Sequence, residues 1–157
     1  MPRNQSRKRR VLAFGTFDLL HPGHKYYLEQ ARKHGEELIV VVGRDRTVLT
    51  VKKAWPLRDE ETRRISVERL KPVTKAVLGN ERHVYRVLDD YRPDVIALGY
   101  DQKAFTRNLK RELKRRRLRC SIVRIDAYRP EEFKSSILKK QFQNGKGKAP
   151  AAQDLPK

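Results

Sequence analysis

The chain has 157 residues, a length that suits one domain with a core between two layers of helices. Lysine and arginine outnumber the acidic residues and give a formal net charge of +19, while the single cysteine excludes an intramolecular disulfide and argues against a cysteine-based zinc site. No apolar run approaches the roughly 20 residues that cross a bilayer, and no signal-peptide pattern follows the basic N-terminus, so we expect a cytoplasmic protein without a membrane segment.

Apolar blocks alternate with helical patterns along the chain, which predicts parallel strands joined by helices. The expected elements, in chain order, are strand 11–14, helix 22–34, strand 38–42, helix 59–70, strand 75–78, helix 81–91, strand 94–98, helix 105–117, strand 121–125 and a short helix from Ser135 or Ser136 to Phe142. Together they predict an α/β fold: a Rossmann-like open sheet of five parallel strands with helices on both faces, forming a single domain over residues 10–143. We expect a basic disordered tail at 1–9 and a disordered tail of small and polar residues at 144–157.

The high positive charge has more than one interpretation. It could bind nucleic acid, attract anionic nucleotides, or form a solvated surface with basic tails. The basic run 110–117 has Leu109, Leu113 and Leu118 at near-helical spacing, which is typical of the exposed face of an amphipathic helix. Because no aromatic residues interleave with the basic runs, we do not expect nucleic acid as a partner.

The segment after the first predicted strand carries the clearest chemistry. It reads Gly-Thr-Phe-Asp-Leu-Leu-His-Pro-Gly-His over residues 15–24. Gly15 permits a tight exit from the strand, and Gly23 keeps side-chain bulk away from a helix start, where free N–H groups favour a phosphate. His21 and His24 lie three residues apart, so both can donate hydrogen bonds to triphosphate oxygens and stabilise charge in the transition state. If the nucleophile is a phosphate, it is already anionic and needs no general base.

Two other interpretations of the histidines remain open. A His-x-x-His pair can bind a metal ion, but no third strong ligand follows at a familiar spacing, so we predict no protein-bound metal. The histidines could also lie exposed at an ordinary helix start. The accompanying glycines, threonine and proline favour a binding loop after a strand.

This ten-residue segment closely resembles the nucleotide signature of the cytidylyltransferase-like superfamily of nucleotidyltransferases. Residues 99–102 resemble the family's nucleotide-base loop, and Ser135-Ser136-Ile137 resembles its final helix start. Tyr128, just after the last strand, could stack on a base or pack against the sheet edge, and Asp101 could instead cap a helix or turn. The candidate nucleotide-binding residues are Thr16, Phe17, His21, Pro22, Gly23, His24, Asp101, Tyr128, Ser135 and Ser136.

The resemblance also indicates how an acceptor is bound. Lys52 lies where the family places a lysine that binds the acceptor's phosphate, so we count it with His21 and His24 as a catalytic candidate. The helix 59–70 resembles one that carries a phosphate-binding arginine, and Arg63 is the candidate there. Both Lys52 and Arg63 could instead be exposed charges that serve solubility.

Within the superfamily the chain most resembles the archaeal FAD synthases, through the whole loop 15–24, Leu-Lys-Pro-Val at 70–73 and Leu-Gly-Tyr-Asp-Gln at 98–102. The resemblance implies transfer of AMP from ATP to the phosphate of FMN, release of pyrophosphate, a divalent cation (Mg²⁺ is expected) and a homodimer. Trp55, Tyr26 and Tyr27 are aromatic candidates for contact with the flavin ring. One alternative is a CTP-dependent cytidylyltransferase acting on a small alcohol phosphate such as glycerol 3-phosphate, and another is an RNA-binding module with a nucleotide fold.

Overall fold

The computed structural model describes residues 7–103 and 106–128, and within them the chain forms an open sheet of parallel strands. The sheet order is β3-β2-β1-β4-β5, and every neighbouring pair is parallel. This confirms the predicted Rossmann-like five-stranded sheet. The strands are β1 (Arg10–Gly15), β2 (Glu37–Val42), β3 (Lys75–Leu78), β4 (Val95–Leu98) and β5 (Ser121–Arg124).

Five helices connect or flank these strands in the described residues. They are α1 (Pro22–Arg32), α2 (Asp45–Lys52), α3 (Glu60–Glu68), α4 (Arg86–Tyr91) and α5 (Leu109–Arg115). Alternating strand residues divide the core into two clusters. Val11 and Ala13 face one cluster together with α1 and α3, whereas Leu12 faces the other together with α4 and α5. Helices therefore cover both faces of the sheet, as the alternation of patterns predicts.

The predicted helix 81–91 is wrong in its first half. The side-chain oxygen of Asn80 accepts hydrogen bonds from the backbone N–H groups of Arg82 and His83, so the chain forms a turn there. Helix α4 then begins only at Arg86. The helix predicted at 105–117 is also shorter in the described residues, because Arg117 adopts a left-handed φ of 54° after α5 has ended.

Helix α2 is absent from the sequence prediction, which treats residues 43–58 as a connection. Its sequence, Asp-Arg-Thr-Val-Leu-Thr-Val-Lys, contains four β-branched residues and has low intrinsic helix propensity. Tertiary contacts compensate for this: the carboxylate of Glu60 accepts from the Asp45 N–H at 3.0 Å and pairs with Arg44 at 2.8 Å. Asp45 therefore begins a helix, and Lys52 is the last residue of that helix.

The sheet order places a topological switch point between β1 and β4. The connection after β1 leads to β2 on one side, whereas β4 lies on the other side of β1. Ligands of open parallel sheets bind beyond the carboxyl ends of the strands at such a point. The loop 15–24 and the residues after Leu98 both begin there. No helix in the described ranges is long and apolar enough to span a bilayer.

Candidate active site

The loop after β1 ends in a histidine that caps the next helix. His21 has an extended backbone, with φ −146° and ψ 169°, and its Nδ1 accepts a hydrogen bond from the Gly23 N–H at 3.1 Å. Pro22 follows at the first helical position, where its missing N–H costs nothing. Helix α1 therefore begins at Pro22 as predicted, but the Gly23 N–H, one of the groups expected to be free at this helix start, is bonded to His21.

Gly23 is required by the packing of His21. A Cβ atom at position 23 would lie 2.8 Å from Cε1 and 2.9 Å from Nδ1 of the His21 ring, which is a severe clash. The carbonyl of Tyr128 lies 3.6 Å from the same point, so the end of the described chain approaches the start of α1. A side chain at position 23 would therefore displace the imidazole from its capping position.

The two imidazoles are in direct contact. Their centroids are 3.7 Å apart with an interplanar angle of 26°, and the Phe17 ring packs edge-on against His24 at 5.1 Å. Burial lowers the pKa of His21 to about 4, so the ring is neutral at pH 7. Because its Nδ1 accepts a hydrogen bond, the ring proton of the neutral form must be on Nε2. The neutral His21 ring thus carries a single N–H donor, at Nε2.

Lys52 lies close enough to His24 to affect it electrostatically. The pKa of His24 is held well below its usual value by burial first, and then by the charges of His21 and Lys52. The structure thus brings together the three residues predicted to be catalytic, although Lys52 comes from a helix that the sequence analysis did not predict. The result is two neutral donors beside a cation, which suits an anionic ligand.

Asp18 is a residue of the loop to which the sequence analysis gave no role. Its side chain is buried, and its two carboxylate oxygens accept hydrogen bonds from the backbone N–H groups of Leu57 at 2.7 Å and Arg58 at 2.9 Å. This contact ties the loop 15–24 to the segment between α2 and α3. The signal in the sequence was an aspartate flanked by the apolar residues Phe17 and Leu19, because a carboxylate that is buried among apolar residues needs a specific partner.

Arg63, the candidate for contact with the acceptor's phosphate, is a buried residue of α3. Its side chain is fully buried, and its guanidinium donates to Thr16 O at 2.8 Å, Arg58 O at 3.0 Å and Asp45 Oδ1 at 2.7 Å. In this conformation it faces protein groups rather than an open acceptor site. Thr16 therefore presents its backbone carbonyl to Arg63.

The other predicted loop residues fall into two groups. Phe17 is buried with a left-handed φ of 54°, and its ring covers Gly15 so closely that a Cβ there would lie 2.5 Å from it. Pro22 is also buried, whereas Thr16 and Gly23 are partly exposed. Phe17 and Pro22 thus shape the loop from inside, whereas Thr16 and Gly23 keep part of their surface accessible to solvent.

The segment after β4 is fixed to β1 by a side chain that the sequence analysis did not single out. Gln102 donates through Nε2 to the Phe14 carbonyl and accepts through Oε1 from the Gly99 N–H at 2.9 Å. Arg124 of β5 donates to the carbonyls of Gly99 and Gln102. These bonds leave Asp101 exposed on the tip of the loop, beside the switch point.

Tyr128 lies against α1. Its ring stacks on that of Tyr26 with centroids 5.2 Å apart, and the Tyr26 hydroxyl donates to Asp126 at 3.0 Å. Tyr27 is buried and its hydroxyl donates to the Ala97 carbonyl at 2.6 Å, so it is a core residue and offers no face to a ligand. Ser135, Ser136 and the predicted final helix lie outside the described residues.

Comparison with known proteins agrees with this geometry. The cytidylyltransferase-like family model matches residues 12–141. A protein of Aciduliprofundum boonei named FAD synthase is 48% identical over 119 residues, covering 76% of this chain and 79% of that protein. Another FAD synthase, from Methanosarcina barkeri, is 51% identical over 116 residues, covering 74% of this chain and 82% of its own.

Solved structures show the same architecture. A Thermoplasma volcanium protein described as a lipopolysaccharide core biosynthesis protein superposes with a TM-score of 0.73 at 39% identity, covering 78% of this chain and 99% of its own. Pantoate-beta-alanine ligase of Francisella tularensis, at 14% identity and a TM-score of 0.63, covers 85% of this chain and 65% of its own and shares the fold alone. The family match spans most of the chain, and the loop 15–24 has the geometry that its sequence predicts; the chain belongs to the cytidylyltransferase-like family.

Proposed function

We propose that this chain is an FAD synthase, which transfers AMP from ATP to the phosphate of FMN. The observation that carries the proposal is the stacked, neutral His21–His24 pair at the start of α1, with Lys52 close by. The choice of FMN is supported by relatives named FAD synthase that are 42–51% identical over about three quarters or more of the chain.

The nucleotide site lies between the loop 15–24 and the residues after β4. The triphosphate lies over the start of α1, where Nε2–H of His21 and the ring of His24 donate to its oxygens. The base lies toward Asp101 and Tyr128. Ser135 and Ser136 complete the set of nucleotide contacts in this proposal.

The reaction needs positioning and charge stabilisation rather than a base. An oxygen of the FMN phosphate attacks the α-phosphorus of ATP, the bond from that phosphorus to the bridging oxygen of the β-phosphate breaks, and pyrophosphate leaves. Lys52 holds the attacking phosphate by charge. Because both imidazoles are neutral at pH 7, they stabilise the negative charge that develops by hydrogen bonding, without protonating the attacking oxygen.

Arg63 enters the proposal as a positioning residue. It holds the Thr16 carbonyl of the loop and Asp45 at the start of α2 at the same time. It therefore fixes the helix that ends in Lys52 relative to the helix that begins at Pro22. This role replaces the direct contact with the acceptor phosphate that the resemblance implied.

The divalent cation is proposed as part of the nucleotide substrate. In the described ranges no three His, Cys, Asp or Glu side chains are grouped so that they could hold a metal ion, and the buried carboxylate of Asp18 is already bonded to two backbone N–H groups. Mg²⁺ would enter with the phosphate oxygens of ATP, as it commonly does at phosphoryl-transfer sites.

The direct test is product formation. The protein is incubated with ATP, Mg²⁺ and FMN, and in parallel with CTP and glycerol 3-phosphate, and the products are separated by chromatography. The proposal predicts FAD and pyrophosphate in the first reaction only. A cytidylyl product in the second reaction, with no FAD in the first, would contradict it.

Variants of the histidines test the mechanism. His21→Ala or His24→Ala is expected to lower kcat by about two or more orders of magnitude, as loss of a transition-state donor does. His34→Ala is the matched control, because His34 is exposed beyond the end of α1 and is expected to leave kcat unchanged. Near-normal turnover in both active-site variants would refute the assignment.

A homodimer and a cytoplasmic location remain part of the proposal, supported by the family resemblance. Light scattering of the purified protein measures the first. The RNA-binding alternative predicts retention on RNA at low salt that is lost as salt rises, with no nucleotidyl product from any acceptor.

A further inference from the structure

An exposed apolar group of side chains lies directly beside Lys52. Three of the six large hydrophobic side chains that are exposed in the described residues lie within one run of seven positions: Val51 at 52%, Trp55 at 55% and Leu57 at 37%. Single exposed apolar residues are ordinary on a protein surface, whereas three within seven consecutive positions make this segment a candidate binding surface. We name this run, residues 51–57, the apolar segment.

The apolar segment is held at both ends. After α2, Lys53 adopts a left-handed φ of 62° and its N–H donates to the Leu49 carbonyl at 2.8 Å, which ends the helix. At the other end the buried Asp18 binds the Leu57 N–H at 2.7 Å. Trp55 therefore lies within a short connection whose two ends are fixed, and its side chain is exposed to solvent.

The cation at the start of the segment indicates what chemistry fits there. Lys52 is the last residue of α2 and its charge helps to lower the pKa of His24, whereas the side chain of Trp55, three residues later, is exposed. Three residues of extended chain span at most about 11 Å. This arrangement matches a ligand that has an anionic group at one end and a planar apolar ring at the other, joined by a flexible chain of similar length.

We propose that the isoalloxazine ring of FMN stacks on Trp55 and lies against Val51 and Leu57, while its phosphate is bound by Lys52. This inference rests on the proposed function and adds to it the site of the ring. Of the other two aromatic candidates, Tyr27 is buried and Tyr26 is stacked on Tyr128, so Trp55 is the candidate with a face open to the ligand.

The chain contains one tryptophan, which makes the test specific. Stacking on an indole quenches flavin fluorescence, so titration of wild type into FMN is expected to quench the emission of FMN, and titration of Trp55→Ala is not. In steady state, Trp55→Ala is expected to raise KM for FMN about tenfold or more, as loss of an aromatic stacking partner does. Its kcat and its KM for ATP are expected to stay within about twofold of wild type, because the nucleotide contacts lie elsewhere.

Two matched variants complete the design. Trp55→Phe keeps a ring and is expected to recover most of the affinity for FMN. Val84→Ser removes an exposed apolar side chain far from the segment in sequence, and it is expected to change neither KM. Light scattering on each variant measures whether the segment instead contacts a second copy of the chain.

The outcomes separate the two proposals. Unchanged KM for FMN and unchanged quenching in Trp55→Ala would overturn the ring site while leaving FAD synthesis intact. A Trp55→Ala variant that loses only its self-association would overturn it too, in favour of a subunit contact. Quenching by wild type but not by Trp55→Ala, without FAD formation, would support the ring site and reject the proposed reaction.

Discussion

Neutral imidazoles have an advantage beside a triphosphate, because they donate hydrogen bonds without presenting a proton that a phosphate oxygen would take. The structure achieves this neutrality by removing water: His21 is 5% exposed and its pKa falls to about 4, and burial also dominates the low pKa of His24. The motif predicts two donors. Their protonation state could not be predicted from it, because burial depends on residues distant in sequence.

This burial makes stability depend on pH. Between pH 6.5 and 4 the unfolded chain binds a proton at His21 that the folded chain does not, so the folded state loses stability as pH falls through this window, by up to about 1.4 kcal/mol per pH unit for one group. Above pH 6.5 His21 is neutral in both the folded and the unfolded chain, so this loss of stability is absent. Urea unfolding at pH 7, 6 and 5 is expected to show this loss in wild type and a smaller one in His21→Asn. If the free energy of unfolding falls equally with pH in the two proteins, His21 is not the group responsible.

At the scale of elements, the site depends on how two connections are fixed together. The β1–α1 loop carries the histidines, and the β2–β3 connection carries Lys52. Asp18 and Arg63 both join the two connections: Asp18 accepts from backbone N–H groups, and Arg63 donates to backbone carbonyls. Neither contact is local in sequence, which is why α2 and the role of Asp18 could not be predicted from periodicity.

Asp18→Asn tests this coupling. One amide oxygen cannot replace a carboxylate that accepts from both Leu57 and Arg58, so KM for FMN is expected to rise roughly tenfold while KM for ATP changes less than about threefold. Lys52→Met is also expected to cost less in the Asp18→Asn background than in wild type, because the lysine is already misplaced. Asp59→Ala is the control: Asp59 accepts from the Thr62 N–H as the cap of α3, and its replacement by alanine is expected to lower stability without changing KM for FMN. An equal rise of both KM values in Asp18→Asn would indicate general destabilisation instead.

For the whole molecule, the alternation of apolar blocks predicts the fold well because strands buried on both faces have continuous hydrophobic runs. A continuous apolar run such as Leu38–Val42 is readily assigned to a buried strand of the sheet. Element ends are less predictable, since turns such as the one at Asn80 depend on single side-chain bonds. The loop 15–24 lies at the switch point as expected, but the apolar segment becomes visible only when burial is known.

The net charge of +19 is the whole-molecule property that the active site does not explain. Helix α5 buries Leu109 and Leu113 and exposes Lys110, Arg111 and Lys114, which confirms it as an amphipathic helix with a solvated basic face.

Replacing these three cations by glutamine removes one charge per position on an element that contributes nothing to the site described above. Retention on a polyanion column is expected to weaken. The number of counterions released on binding, measured from the salt dependence, is expected to fall by up to about three, while kcat stays at the wild-type value. Any rise in KM for ATP or FMN is expected below about threefold at low salt and absent at 0.5 M salt, where screening cancels long-range attraction. Wild type measured across the same salt series is the reference. A large loss of kcat in this variant would instead place α5 in the reaction and contradict its assignment as a solvated face.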